Sequence, residues 1–157
     1  MATAQVLPDA DVTTSWVSTG QPTGSTGTTY WDEINEPVDA ATDATYIETD
    51  TLGVDFEVNL TASPAATSEV TQVDVNLRGV LTDVSATARF QIDLFTGATP
   101  LTGNPKYVTG ANLGGYGTAE SNFTLTWSGD MGGSGTAGAL TKAEADDLRV
   151  RGSLLGT

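Results

Sequence analysis

Apolar and polar positions alternate with a period of two over four central stretches of the chain. In "VDFEVNL" (54–60), Val54, Phe56, Val58 and Leu60 fall on one face, and Asp55, Glu57 and Asn59 on the other. "VTQVDVNLRGVL" (70–81) sets Val73, Val75 and Leu77 against Gln72, Asp74, Asn76 and Arg78. "ATARFQIDLFTG" (86–97) sets Phe90, Ile92 and Leu94 against Arg89, Gln91 and Asp93, and "SNFTLTW" (121–127) repeats the pattern with Phe123, Leu125 and Trp127. Successive side chains of a strand point to opposite faces, so this period predicts antiparallel strands with one buried and one wet face. A fifth stretch, "LRVRGSL", alternates with Leu148, Val150 and Gly152 inward.

Between these runs stand turn residues: "ASPAATSE" after one strand, "TGATPLTGNP" after another, and the glycine-rich "SGDMGGSGTAG" before the last. "YWDEINEP" (30–37) reads as one helical turn ended by Pro37, and the clearer helix is "LTKAEADDL" (140–148). There Thr141 precedes Glu144 by three residues, the spacing of a capping box. The expected fold is all-β: an antiparallel β-sandwich, jelly-roll-like, with one short helical turn near the C-terminus. Residues 1–29 alternate poorly and contain "STGQPTGSTGTT", which reads as an extended N-terminal arm and flexible loop, with "QVLP" and "VTTSWV" as short strands or extended contacts. Residues 30–157 then form a single sandwich domain, in keeping with a length of 157 residues.

Charge changes this picture by its distribution. The net charge is −14. Residues 1–77 hold thirteen acids and no base, whereas residues 78–157 hold seven acids and all six bases. A surface of that sign repels phosphates, so nucleic acid is not an expected partner. No apolar run approaches the length needed to span a membrane, and "MATAQVLPDADV" lacks a basic, then apolar, leader pattern. Membrane is therefore not an expected partner, and synthesis in a cytoplasm is expected.

Catalytic chemistry has few candidates. The chain has no His and no Cys, which removes triads, zinc sites and thiol nucleophiles. Asp32, Glu33 and Glu36 are the remaining carboxylate cluster, with Trp31 and Tyr30 beside them as sugar-stacking rings. An acid cluster in a first helical turn ordinarily faces water, and that reading is preferred here. Asp9, Asp11, Asp39, Asp43, Glu48 and Asp50 offer hard oxygen ligands for calcium, but without EF-hand spacing. No enzyme activity and no cofactor or metal is expected. Loop-borne aromatics are better explained as caps of the sandwich ends or as anchors of a protein interface. The expected interface residues are Val6, Leu7, Pro8, Val12, Trp16, Tyr30 and Trp31.

Two segments carry a resemblance. "LPDADVTTSWVSTG" followed by "YWDEINEPVDAATDATYIET" at the front, and "LTKAEADDLRVRGSL" at the back, resemble the opening and closing segments of small structural proteins of tailed bacteriophage virions. The likeness covers about a third of the chain. The chain departs from it with "TTSW" in place of a glycine–Trp–Thr run and with a longer acidic stretch. The resemblance implies a non-enzymatic virion protein built on a β-sandwich. The expectation is a capsid decoration, or cement, protein on the outer surface of the phage head, synthesised in the bacterial host cytoplasm. Its partner would be the major capsid protein or another virion protein, and the chain itself a homo-oligomer, with a trimer favoured. The alternatives are a tail, neck or fibre-associated module, or a carbohydrate-binding adhesin using Tyr30, Trp31 and Trp127.

Overall fold

The last strand of the chain lies in the middle of the main sheet. A computed structural model describes residues 8–14, 52–53, 55–62, 69–79, 89–109 and 121–156. In chain order these form β1 (Pro8–Thr14), β2 (Asp55–Leu60), β3 (Glu69–Val70), β4 (Gln72–Gly79), β5 (Arg89–Thr96), β6 (Thr99–Pro100), β7 (Lys106–Thr109) and β8 (Ser121–Ser128). A 3-10 turn (Thr136–Gly138), β9 (Leu140–Thr141), the helix α1 (Lys142–Asp146) and β10 (Leu148–Leu155) follow. The main sheet runs β1-β2-β10-β5-β6, with β7 also on β5. β4 pairs with β8 and β3 with β9, and every pairing is antiparallel. The fold is all-β, as the alternation predicts.

One core joins the main sheet to the β4–β8 pair. Phe56 and Val58 of β2, Ile92 and Leu94 of β5, and Val150 of β10 meet Val73 and Val75 of β4 and Trp127 of β8. Ile92 and Leu94 are fully buried. Each such side chain removed from water contributes about 1.5–3 kcal/mol. The inward positions of β10 stand opposite inward positions of both neighbours: Val150 faces Val58 and Leu94, and Gly152 faces Phe56 and Ile92. Gly152 has to be glycine. The rings of Phe56 and Phe90 stack over it, centroids 6.2 Å apart, and a Cβ there would collide with both.

The segment after β5 seals that strand's outer edge. Gly97 turns the chain with φ 56, β6 pairs with Phe95 and Thr96, and β7 pairs with Arg89 through Ile92. Between them the Asn104 side chain takes the place of a strand residue. Its Oδ1 accepts from the Leu94 N–H at 3.1 Å, and its Nδ2 donates to the Leu94 carbonyl at 2.5 Å. The same Oδ1 accepts from Trp127 Nε1 at 2.9 Å, which satisfies an indole N–H in the core. The stretch 98–105, expected as plain turn, thus holds a strand pair and a polar link between the two layers.

Across the sheet β1 is held differently. Five of its seven residues pair with five of β2, Pro8 with Leu60 through Thr14 with Phe56, with register shifts between Pro8 and Ala10 and between Asp11 and Thr13. Bulges, proline and acidic residues are devices by which natural sheets discourage pairing at an edge. Residues 8–14 lie within the segment expected to be an extended arm; they lie along the protein's own sheet.

Candidate interaction surfaces

The main sheet turns its second parity outward: Asp55, Glu57 and Asn59 on β2, Arg149, Arg151 and Ser153 on β10, Arg89, Gln91, Asp93 and Phe95 on β5. Register places Glu57, Arg151 and Asp93 in one row, and Asp55, Ser153 and Gln91 in the next. Each carboxylate here has a partner. Ser153 Oγ donates to Asp55 at 2.5 Å, Gln91 Nε2 donates to Asp93 at 2.6 Å, and Arg149 lies 3.7 Å from Glu57. Asp93 and Ser153 are buried although they sit on the polar parity. The guanidinium groups of Arg151 and Arg89 lie over the rings of Phe95 and Tyr107, each 4.3 Å from the centroid. Stacking of this kind holds a guanidinium flat, and the Nε of Arg89 is buried beneath it.

The outer face of the β4–β8 pair has another chemistry. Gln72, Asp74 and Asn76 stand opposite Ser128, Thr126 and Thr124. Thr124 donates to Asn76 at 2.6 Å, Thr126 to Asp74 at 2.6 Å, and Gln72 to Asp74 at 2.8 Å. The result is an exposed grid of neutral hydrogen-bonding groups around one carboxylate.

The glycine-rich stretch before β9 is a pinned loop. Met131 is fully buried and anchors it in the core. Glu144 of α1 accepts from the Ser134 hydroxyl at 2.7 Å, the Ser134 N–H at 3.1 Å and the Thr141 N–H at 2.8 Å. These bonds favour the ionised carboxylate, the Ser134 hydroxyl most, then the N–H groups of Thr141 and Ser134, and lower its pKa to about 2. The capping box read from Thr141 and Glu144 is present. That Glu144 would also hold a loop ten residues upstream carried no sequence signal. Glu69 of β3 similarly accepts from the Thr136 N–H at 3.0 Å and its hydroxyl at 3.1 Å. Ala137, between these contacts and the chain's return, has left-handed backbone (φ 54).

Of the residues expected at an interface, Pro8 and Val12 lie on β1, Pro8 paired with Leu60 and Val12 within the second register shift. Val6, Leu7, Trp16, Tyr30 and Trp31 lie outside the described residues, as do Asp32, Glu33 and Glu36. Trp127 is corrected as a sugar platform: it is 1% exposed, with Lys106 Nζ 5.1 Å above its ring and its N–H held by Asn104. Among the described residues no cluster of acids is arranged to hold a metal ion, and no helix is long and apolar enough to cross a membrane.

No family model, curated protein or solved structure matches this chain.

Proposed function

We propose that this protein is a non-enzymatic structural component of a tailed-phage virion, a capsid decoration protein bound to the outside of the head. The observation that carries the reading is the position of β1. Among the described residues, the segment bearing Pro8 and Val12 is the outermost strand of the main sheet, joined to β2 through a twice-interrupted register. A rim strand of this kind sits where backbone groups of a neighbouring protein can be met by strand addition. The other described elements supply a mount: one shared core, a covered edge at β5 and a loop tied down by carboxylates. Repetition over a shell multiplies modest individual contacts. The major capsid protein is the proposed partner and the capsid surface the proposed location.

The test is stoichiometric. Purified protein is added to heads that lack it, and copies per head are counted by cryo-electron microscopy. Hundreds of copies in a regular array are expected. A dozen or fewer at one vertex would place the protein at the neck or tail, and no attachment would overturn the reading. Removing residues 1–14 is expected to abolish attachment; amide exchange protection of β10 reports whether the rest of the fold remains.

A further inference from the structure

Residues 129–138, "GDMGGSGTAG", are half glycine and hold one large apolar side chain, Met131. Glycine loses more conformational freedom on ordering than any other residue, so such a stretch needs ties to stay in one shape. Its two limbs meet. The N–H groups of Met131 and Gly133 both donate to the Gly138 carbonyl at 3.0 Å, and the Gly135 N–H donates to the Ala139 carbonyl at 2.9 Å. The loop is thus bonded within itself, in the manner of a compact Ω-loop. Its ties to the rest of the described fold are of two kinds. Met131 is fully buried in the core, and its carbonyl accepts from the Thr102 N–H at 2.9 Å. The other ties are carboxylates: Glu144 of α1 holds the N–H and hydroxyl of Ser134, and Glu69 of β3 holds those of Thr136. Ser134 and Thr136 are themselves exposed. The charged groups around these ties are Asp130 in the loop, Glu69 on β3, and Lys142, Glu144, Asp146 and then Asp147 along α1 and its end; β9, against which α1 packs, carries none. Lys142 pairs with Asp146 at 2.6 Å, Asp147 lies 3.9 Å from Arg149, and Asp130 accepts from the Gly132 N–H at 2.9 Å.

We propose that residues 129–139 form a flap, latched by Glu69 and Glu144 and sealed by Met131, that opens as a unit in acid while the two β-layers stay folded. An ionised carboxylate is a stronger acceptor than a protonated one, so acid weakens the latch at the atoms that hold Ser134 and Thr136. The internal bonds of the loop involve no carboxyl group except that of Asp130, so the flap keeps its own shape as it lifts. Glu144 titrates at about 2 instead of 4.5 because it holds the closed flap. Its contribution to closure is therefore complete above about 4.5, and each unit of pH below that, down to about 2, raises the open fraction by up to about tenfold. Local opening below the cost of global unfolding is the expected behaviour of a segment with one buried side chain and many exposed backbone bonds. The inference concerns the isolated chain in solution, so it and the particle reading can fail separately.

Hydrogen peroxide reads the opening. It transfers one oxygen atom to the Met131 sulfur and leaves as water, and it reaches that sulfur once the seal is lifted. The full chain is treated at about pH 7, 5 and 3, the interval that brackets the loss of the latch, beside N-acetylmethionine amide in the same solution. Peptide mass spectrometry counts the Met131 sulfoxide, and amide exchange at each pH reports β10. The oxidation rate relative to the reference is expected to be low at neutral pH and to rise about tenfold or more in acid while β10 keeps its protection. Glu69→Gln with Glu144→Gln is expected to raise the neutral rate at least about fivefold, as replacement of charge-assisted hydrogen bonds by neutral ones implies, and to flatten the rise in acid. Should that variant lose β10 protection, the wild-type series decides. A relative rate that stays level across the series would overturn the proposal. So would a rise that comes only with loss of β10 protection, or a folded double variant that oxidises like the wild type.

Discussion

The two outer faces of the sandwich are built from the same alternation and do opposite things with it. On the main sheet the outward parity holds long charged side chains, Arg89, Arg149 and Arg151 among them, interleaved with Phe95. On the β4–β8 pair it holds mostly neutral ones, Thr124, Thr126, Ser128, Asn76 and Gln72, with Thr124 bonded to Asn76 and both Thr126 and Gln72 bonded to Asp74. The second face bonds across its two strands through exposed side chains. On the first, among the described residues, each acid has a polar partner and Arg89 and Arg151 stack on rings. Period-two patterning reports which side chains leave the core. It does not report whether they find each other once outside.

That contrast rests on a core shared by both layers, and the largest expected effect is its loss. Trp127→Ala removes a fully buried indole and the hydrogen bond to Asn104, and is expected to cost about 3–5 kcal/mol in urea denaturation. If amides of β10 kept full exchange protection in this variant, the layers would be independent and the comparison would lose its common base. Next comes a contrast within one strand. Gly152→Val drives methyl groups into the Phe56 and Phe90 rings and is expected to destabilise by about 1–3 kcal/mol or more. Ser153→Ala, one residue along on the outward parity, loses only the bond to Asp55 and is expected to cost about 1 kcal/mol.

Acid sharpens the distinction between faces and loop. The Glu144 carboxylate titrates near 2 in the folded protein against an ordinary value of 4.5. Its contribution to stability is therefore present in full above about 4.5 and is lost as pH falls from there through about 2. Glu144→Gln is expected to flatten the fall in thermal midpoint across that interval, with little change in its slope above pH 5 or so. A wild-type midpoint insensitive to pH in that interval would show that Ser134 and Thr141 do not hold the carboxylate in solution. The smallest effect is expected on the neutral face: Thr126→Val, measured the same way, stays within about 0.5 kcal/mol.

Much of the sheet structure was legible beforehand because burial imposes its own period. Phe56, Val58, Val73, Val75, Ile92, Leu94, Trp127, Leu148 and Val150 are inward in the pattern and buried in the fold. The capping box was legible because a cap is a local bond between residues three apart. Two features were not. Asn104 stands in a stretch of turn residues, and its role depends on Leu94 and Trp127, ten and twenty-three positions away. Met131, in a run of glycines, gives no periodic signal, yet it is fully buried. The candidate surface was the least legible part. Pro8 and Val12 were singled out as contact residues, whereas Arg89 and Arg151 were read only as the wet side of two strands.

The sequence by itself determined that this chain pairs strands, which residues those strands bury, and that the bases fall in its second half. Local alternation and composition suffice for that, because they act between near neighbours and through the solvent. Only the tertiary structure decided that β10 lies between β2 and β5, that a side chain completes the edge of β5, and that two arginines share one face above aromatic rings. Each of these depends on contacts between residues far apart along the chain, whose choice is settled by how whole faces fit together and by which polar groups are left to bond once they have done so.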